Sequence, residues 1–157
     1  MYQNNVKNLF EQISSKYYKN FLNKKSSKNY TFAMRKKIIL DNIINKCGNF
    51  IDIATGSGEI SSKLLKKNKF KKIFLVDISK KMLNKTKKKI NNCKNVFFIN
   101  KDFAKLKTKI KFDYILCIGI LAHYPNTDFL ISKLSKLSNK KGKVIIQSSL
   151  LNFFTIK

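Results

Sequence analysis

The stretch "FIDIATGSGEIS", residues 50–61, decides the fold. An apolar run ends at Thr55-Gly56-Ser57-Gly58 and an amphipathic pattern starts at once, so the backbone passes tightly from strand to helix through two residues without side chains. Such a turn lets a ligand lie close against the main chain.

On either side of this stretch, segments of two periodicities alternate. Val6, Leu9, Phe10, Ile13 and Tyr17 fall at helical spacing, followed by a polar loop, "NKKSSKN", and a second helix is expected over 31–45, ending at Gly48. Five short apolar runs then read as strands: "FIDIA", "KIFLVD", "VFFIN", "FDYILCIGI" and "KVIIQSS". Lysine-rich helical patterns separate them, "EISSKLLKKN", "SKKMLNKTKKKI" and "TDFLISKLSKLSN", with a shorter link at "FAKLKTK". Strands this continuously apolar are covered on both faces, which predicts an α/β doubly wound parallel sheet, Rossmann-like. One domain is expected: an N-terminal helix and loop over 1–30, a core over 31–149 and an apolar tail over 150–157.

The 157 residues carry 34 Lys+Arg against 8 Asp+Glu, a formal charge of +26. Charge of that size points to nucleic acid or an anionic surface, yet Arg35 is the only arginine, and guanidinium is the group that reads phosphates and bases bidentately. A solvated lysine coat is the simpler reading. Cys47, Cys93 and Cys117 have no metal-like spacing and read as reduced core residues. The polar start "MYQNNVKN" and the shortness of "YILCIGILA" against the ~20 residues of a bilayer span point to a soluble, cytoplasmic protein.

In an open parallel sheet, ligands bind beyond the carboxyl ends of the strands, so the residues ending each strand are the candidates. A phosphate-binding loop is excluded, because Ser61 stands where its second glycine belongs and no lysine follows. A dinucleotide fingerprint lacks its third glycine, again at Ser61, although Asp77 lies 19 residues beyond Gly58. The charges discriminate further. Asp52 precedes the loop and Glu59 follows it, where a pyrophosphate would be repelled. Four of the eight acidic residues, Asp52, Glu59, Asp77 and Asp102, fall at this edge of the sheet. A cationic adenosine compound fits them, namely S-adenosylmethionine. Local roles compete with this reading: Asp52 as a cap, Asp77 as N-cap of the helix at Ser79, and Asp102 as a turn acid. Asp113 opens the fourth strand at the opposite edge and reads as structural.

With these residues in place the chain resembles the class I S-adenosylmethionine-dependent methyltransferases, from about Phe32 to Ser149. The family's D/E-x-G-x-G-x-G matches "DIATGSG", Asp52 to Gly58, with Ala54 at the first glycine. The resemblance implies a strand order of 3-2-1-4-5. It implies that the loop of Asp52, Ala54, Thr55, Gly56, Ser57 and Gly58 faces the amino-acid part of the cofactor. Asp77 would take the ribose hydroxyls, Ile78 the adenine face, Asp102 with Phe103 the adenine amino group, and Ile118 to Ile120, through Gly119, the methionine end.

Methyl transfer needs positioning, and a base when the acceptor carries a proton. "IGILAHYPN" follows the fourth strand and has neither the N/D-P-P-Y/F of base amino-methylating enzymes nor a proline-cysteine. His123, the only histidine, is the candidate base, with a loop-bonding role as the alternative. "HYP", containing Tyr124, is similar to the tetrapyrrole carboxyl O-methyltransferases, and "VKNLFEQISSKYYKNF" resembles the quinone-methylating branch, where such a helix lids the site. These likenesses imply a small-molecule acceptor methylated on oxygen, no metal, and Tyr17 and Tyr18 as lid contacts, unless they serve only to pack the helix.

The family's sheet continues with a helix and an antiparallel pair, whereas here "SLLNFFTIK" ends the sequence. A fragment is one reading of this. Another is that the fifth-strand edge, followed by exposed Leu150, Leu151, Phe153, Phe154 and Ile156, meets a protein partner or a second copy. A non-catalytic cofactor- or partner-binding domain, an RNA methyltransferase and, more distantly, a nicotinamide oxidoreductase remain the competing functions.

Overall fold

The computed structural model describes residues 2–17, 27–43, 45–90 and 93–148. The elements run α1 (Tyr2–Ile13), α2 (Ser27–Asn42), β1 (Cys47–Ile53), α3 (Ser61–Lys67), β2 (Lys69–Asp77), α4 (Lys80–Lys89), β3 (Val96–Asn100), β4 (Phe112–Ile118), α5 (Thr127–Leu137) and β5 (Ser138–Gln147). Short 3₁₀ turns occupy Phe103–Lys105 and Leu121–His123. All neighbouring strands pair parallel, in the order β3-β2-β1-β4-β5. This is the expected Rossmann-like sheet, and its order reverses between β1 and β4, which opens a crevice at their carboxyl ends.

Alternate strand residues feed two apolar layers, one on each face. Ile51, Ile53, Phe74, Val76, Ile115 and Cys117 pack with Leu130, Leu134 and Leu137 of α5. Phe50, Ile73, Leu75 and Leu116 point the other way, onto Ile39 of α2 and Ile43 just after it, and onto Ile60 and Leu64 at α3. Each such side chain removed from water contributes ~1.5–3 kcal/mol, so the sheet is fixed from both sides. The helices begin where polar caps allow: the Ser79 hydroxyl accepts from the Met82 amide at 3.1 Å, and the Asn126 side chain from the Phe129 amide at 2.8 Å.

Several boundaries differ from the sequence expectation. The second helix runs from Ser27 to Asn42, not 31–45, and Asn45, with φ of 55°, makes the left-handed turn assigned to Gly48. Gly48 lies inside β1 at a register shift, and with φ of 105° its bare Cα lies against Asp113; a Cβ there would come within 2.4 Å of Asp113 Oδ2. Asp113 ties this edge together by accepting from the Asn49 amide at 2.7 Å and the Asn139 side chain at 2.6 Å. The strands β2 and β5 start earlier than their apolar runs. Cys47 and Cys93 are exposed, because one opens β1 at the amino edge and the other lies in the turn before β3; only Cys117 is a core cysteine. Leu150, Leu151, Phe153, Phe154 and Ile156 lie outside the described residues. Among those described, no helix is long and apolar enough to cross a membrane, and no cluster of three His, Cys, Asp or Glu side chains could hold a metal.

Candidate functional site

A cavity opens at the carboxyl ends of β1, β2 and β4, beneath α1 and the start of α2. Its floor is the strand-to-helix loop. Ala54 adopts φ of 60° and Gly56 φ of 59°, so the chain turns through the left-handed region twice in three residues. Ala54 does so with a Cβ, which costs about 1–2 kcal/mol and explains why glycine is the family's residue there. The loop is tied at both ends. The Thr86 hydroxyl of α4 donates to the Gly56 carbonyl at 2.7 Å, and the Gly56 amide donates to Asp77 Oδ2 at 2.8 Å.

Two carboxylates are buried in this wall, Asp52 at 4% exposure and Asp77 at 7%. Asp52 Oδ2 accepts from the Thr55 hydroxyl at 2.9 Å and from the Ser61 hydroxyl. Asp77 accepts from the Ser79 amide at 2.8 Å through Oδ1, so Ser79 is the helix N-cap and Asp77 braces the turn before it. Neither acid has a salt bridge among the described residues. Burial therefore dominates their ionisation, pushing Asp52 up to about 7 and Asp77 up to about 6 despite these hydrogen bonds. Glu59 also lines the cavity, but Lys89 of α4 pairs with it, so its charge is already answered.

Opposite the carboxylates the wall is apolar, formed by Val76, Ile78, Met82, Phe103, Ile118 and Ile120. Gly119, with φ of 70° and open space where a Cβ would stand, completes it. The roof comes from α1. Gln3 donates to the His123 carbonyl at 2.8 Å, and the Phe10 ring meets the His123 imidazole edge to face, centroids 5.4 Å apart. Glu11 accepts from the Lys81 amide at 3.3 Å, and the Lys85 ammonium donates to the Ser14 carbonyl, which joins α1 to α4. His123 is half-buried, and this burial lowers its pKa from 6.5. Tyr17 and Tyr124 also line the cavity, with both hydroxyls raised by burial first.

Of the candidates from the sequence, the cavity brings together Asp52, Ala54, Thr55, Gly56, Asp77 and Ile78, then Phe103, Ile118 and Gly119, then Tyr17, His123 and Tyr124. It does not include Ser57, Gly58 or Asp102. Ser57 is buried with the Lys89 ammonium at 3.4 Å, and Gly58 presses against Thr86, where a Cβ would come within 2.8 Å of Cγ2. Asp102 caps the following turn, accepting from the Ala104 amide at 2.9 Å and from the Tyr124 hydroxyl, and it opens onto an adjoining groove with Gln3 and Phe129. Tyr18 lies outside the described residues. Sequence reasoning left Phe10, Phe32 and Arg35 out of the site, although Phe10 fell in the helical pattern and Arg35 stood out as the sole arginine.

The fold has relatives among known proteins. A family described as a methyltransferase domain matches residues 44–152. The ubiquinone/menaquinone biosynthesis C-methyltransferase UbiE of Rickettsia prowazekii is 28% identical over 148 residues, 89% of this chain and 58% of that protein. Malonyl-[acyl-carrier protein] O-methyltransferase 1 of Ilyobacter polytropus is 29% identical over 96 residues, 61% of this chain and 36% of that one. The chain thus spans little more than half the length of the first of these relatives and about a third of the second. Among solved structures, the complex of DhpI with SAH superposes with a TM-score of 0.70 at 18% identity, covering 88% of this chain and 65% of that one. Magnesium protoporphyrin IX methyltransferase from Synechocystis with bound SAM gives 0.66 at 18% identity, with 88% and 73% covered.

Proposed function

The chain belongs to the class I S-adenosylmethionine-dependent methyltransferases, and from that premise we propose that it methylates a small acceptor bearing an acidic hydroxyl, at oxygen. The observation that carries the reading is a single cavity holding the buried acids Asp52 and Asp77, the Gly56 turn and a half-buried histidine. The residues present fit the cofactor: two buried carboxylates with no salt bridge among the described residues favour a ligand with ammonium and sulfonium groups, and the apolar wall of Ile78, Met82 and Phe103 suits a purine. When bound, S-adenosylmethionine supplies a methyl group already activated on sulfur. The chain then has to orient the acceptor, exclude water and remove one proton. Aromatic Phe10, Tyr17 and Phe32 form a wall against which a flat acceptor packs, and His123, neutral at pH 7, takes its hydroxyl proton.

A second reading, methylation at a ring carbon activated by the same hydroxyl, is favoured by one observation. The quinone C-methyltransferase relatives align over 89–90% of this chain, the O-methyltransferases over only 61–64%. Incubating the protein with cofactor carrying a deuterated methyl group and a panel of phenols and enols, followed by mass spectrometry, separates the two. An O-methyl product loses its label on ether cleavage with acid iodide; a C-methyl product keeps it. A protein that binds S-adenosylhomocysteine but labels no acceptor would be the non-catalytic domain instead.

Asp77 is expected to dominate the ribose end. Its carboxylate already accepts one backbone amide on each oxygen and has further lone pairs facing the cavity. Replacing it by asparagine sets an NH₂ group against one of those amides and removes charged acceptors for two hydroxyls. S-adenosylhomocysteine should bind about 10–30-fold more weakly by calorimetry. Affinity unchanged within twofold would remove Asp77 from the cofactor site.

A further inference from the structure

We propose that the Tyr124 hydroxyl, tied to the Asp102 carboxylate, sets the place of the His123 imidazole, a positioning role that rests on the reading of His123 as the base. The segment between β4 and α5 makes one 3₁₀ turn, Leu121–His123. It is closed by the His123 amide on the Ile120 carbonyl at 2.9 Å and the Tyr124 amide on the Leu121 carbonyl at 3.1 Å. Pro125, the only proline in the chain, comes next, and the residue before a proline is kept out of the helical region. Tyr124 is accordingly extended, with φ of −130° and ψ of 121°, and the turn stops there. Its side chain then reaches across to the connection that follows β3.

At that connection the hydroxyl is engaged twice. It donates to Asp102 Oδ1 and accepts from the Ala104 amide at 3.3 Å, while the same Oδ1 accepts from that amide at 2.9 Å. The anchor is itself fixed, because the Lys133 ammonium of α5 donates to the Ala104 carbonyl at 2.7 Å and stands 5.2 Å from the centre of the buried Phe103 ring. Burial first, then the bond to Asp102, raises the Tyr124 pKa, so the hydroxyl keeps its proton and is not itself a base at neutral pH. Both His123 and Tyr124 line the cavity, yet Ala122, Pro125 and Asn126 beside them are exposed, so packing holds this segment weakly. The contacts of Gln3 with the His123 carbonyl and of Phe10 with its ring come from α1. Tyr124 adds a tie to the end of β3, in the sheet itself, one peptide from the imidazole. A reacting group misplaced by about 1 Å loses roughly 100-fold in rate, so this tie bears on the chemistry.

The test is Tyr124→Phe, which keeps the ring in the cavity wall and removes only the hydroxyl. With the acceptor found by the labelling assay, kcat should fall by about 10-fold or more, while S-adenosylhomocysteine binds within twofold of wild type by calorimetry. In a His123→Ala background the same change should cost less than twofold in kcat, because the tie acts through the imidazole. Equal losses in the two backgrounds overturn the assignment, since Tyr124 would then act through the fold. An unchanged kcat in Tyr124→Phe overturns it too, as does a loss of cofactor affinity that matches the loss of rate. If His123→Ala alone leaves the rate unchanged, the base reading fails and the assignment with it. A readout free of turnover comes from the chain's single histidine, whose imidazole protons are assigned without ambiguity. Nuclear Overhauser contacts between this ring and Phe10 are expected in the wild type and should be lost in Tyr124→Phe. Their full retention overturns the assignment even where no acceptor is methylated.

Discussion

Replacing Asp52 by asparagine should stabilise the ligand-free protein at pH 8 while weakening its hold on S-adenosylmethionine. Asp52 is buried among apolar strand residues, and its two hydroxyl partners, Thr55 and Ser61, do not offset the loss of water, so its carboxyl is pushed from 3.8 up to about 7. In the unfolded chain the same group ionises near 3.8. The folded state therefore binds a proton more tightly, and the stability it gains is fully present below pH 3.8 and is lost as the pH rises through 7. A shift of three units corresponds to about 4 kcal/mol, an upper value for what the wild type gives up over that range. An asparagine does not titrate. Urea denaturation at pH 4, 6 and 8 should find the variant close to the wild type at pH 4 and more stable by several kcal/mol at pH 8. Asp77, pushed up to about 6, adds a slope of its own in both proteins, and its charge is one of the causes that raise Asp52. A cation seated beside Asp52 favours its ionised form, so binding S-adenosylmethionine at pH 6 should release protons, fewer in the variant, as read by calorimetry in buffers of different ionisation enthalpy. Parallel stability curves for the two proteins would refute the argument.

The same burial explains which parts of the molecule were legible in its sequence. The central strands β1, β2 and β4 are apolar on both faces because helices cover both, and that leaves an unbroken run in the sequence. Where a strand lies open, the signal fades. Exposed Lys69, Lys71 and Lys72 disguise the start of β2, and Lys140, Lys141 and Lys143 disguise the edge strand β5. Gly48 reads as a helix end because a glycine after a helical pattern has that meaning by default; its true reason, the Asp113 carboxylate against its Cα, comes from 65 residues away.

For the site, local geometry was readable and long-range geometry was not. The strand order brings Asp52 and Asp77 together through adjacent parallel strands, so their positions followed from the strand ends. Within the tight turn, however, successive residues point in different directions: Gly56 faces the cavity, whereas Ser57 and Gly58 face α4. The pairing of Glu59 with Lys89, the bond of Asp102 with Tyr124 and the place of Arg35 in the cavity wall each depend on how distant elements dock, which no local pattern encodes. The cluster of four acids seen in the sequence resolves into two uncompensated ones in the cavity, one neutralised and one turned aside.

The largest kinetic effect is expected at His123. Its main chain is held by Gln3 and its ring by Phe10, both from α1, so the position of that helix sets the position of the imidazole. Burial lowers its pKa from 6.5, which keeps the ring neutral and able to accept a proton at pH 7. A positioned base contributes roughly 10²–10⁴-fold, so His123→Ala should lower kcat by at least 100-fold toward any acceptor the labelling assay identifies. Affinity for S-adenosylhomocysteine should change less than threefold, because the role proposed for the imidazole is on the acceptor's proton. The wild-type rate should rise with pH through the histidine pKa and level off above it, since the protonated ring cannot accept a proton. The variant should lose that limb and recover part of its rate in added imidazole. A role confined to bonding the loop predicts a different pattern: a small rate loss, a retained pH limb, no rescue, and restoration by glutamine, which can bond but cannot act as the base.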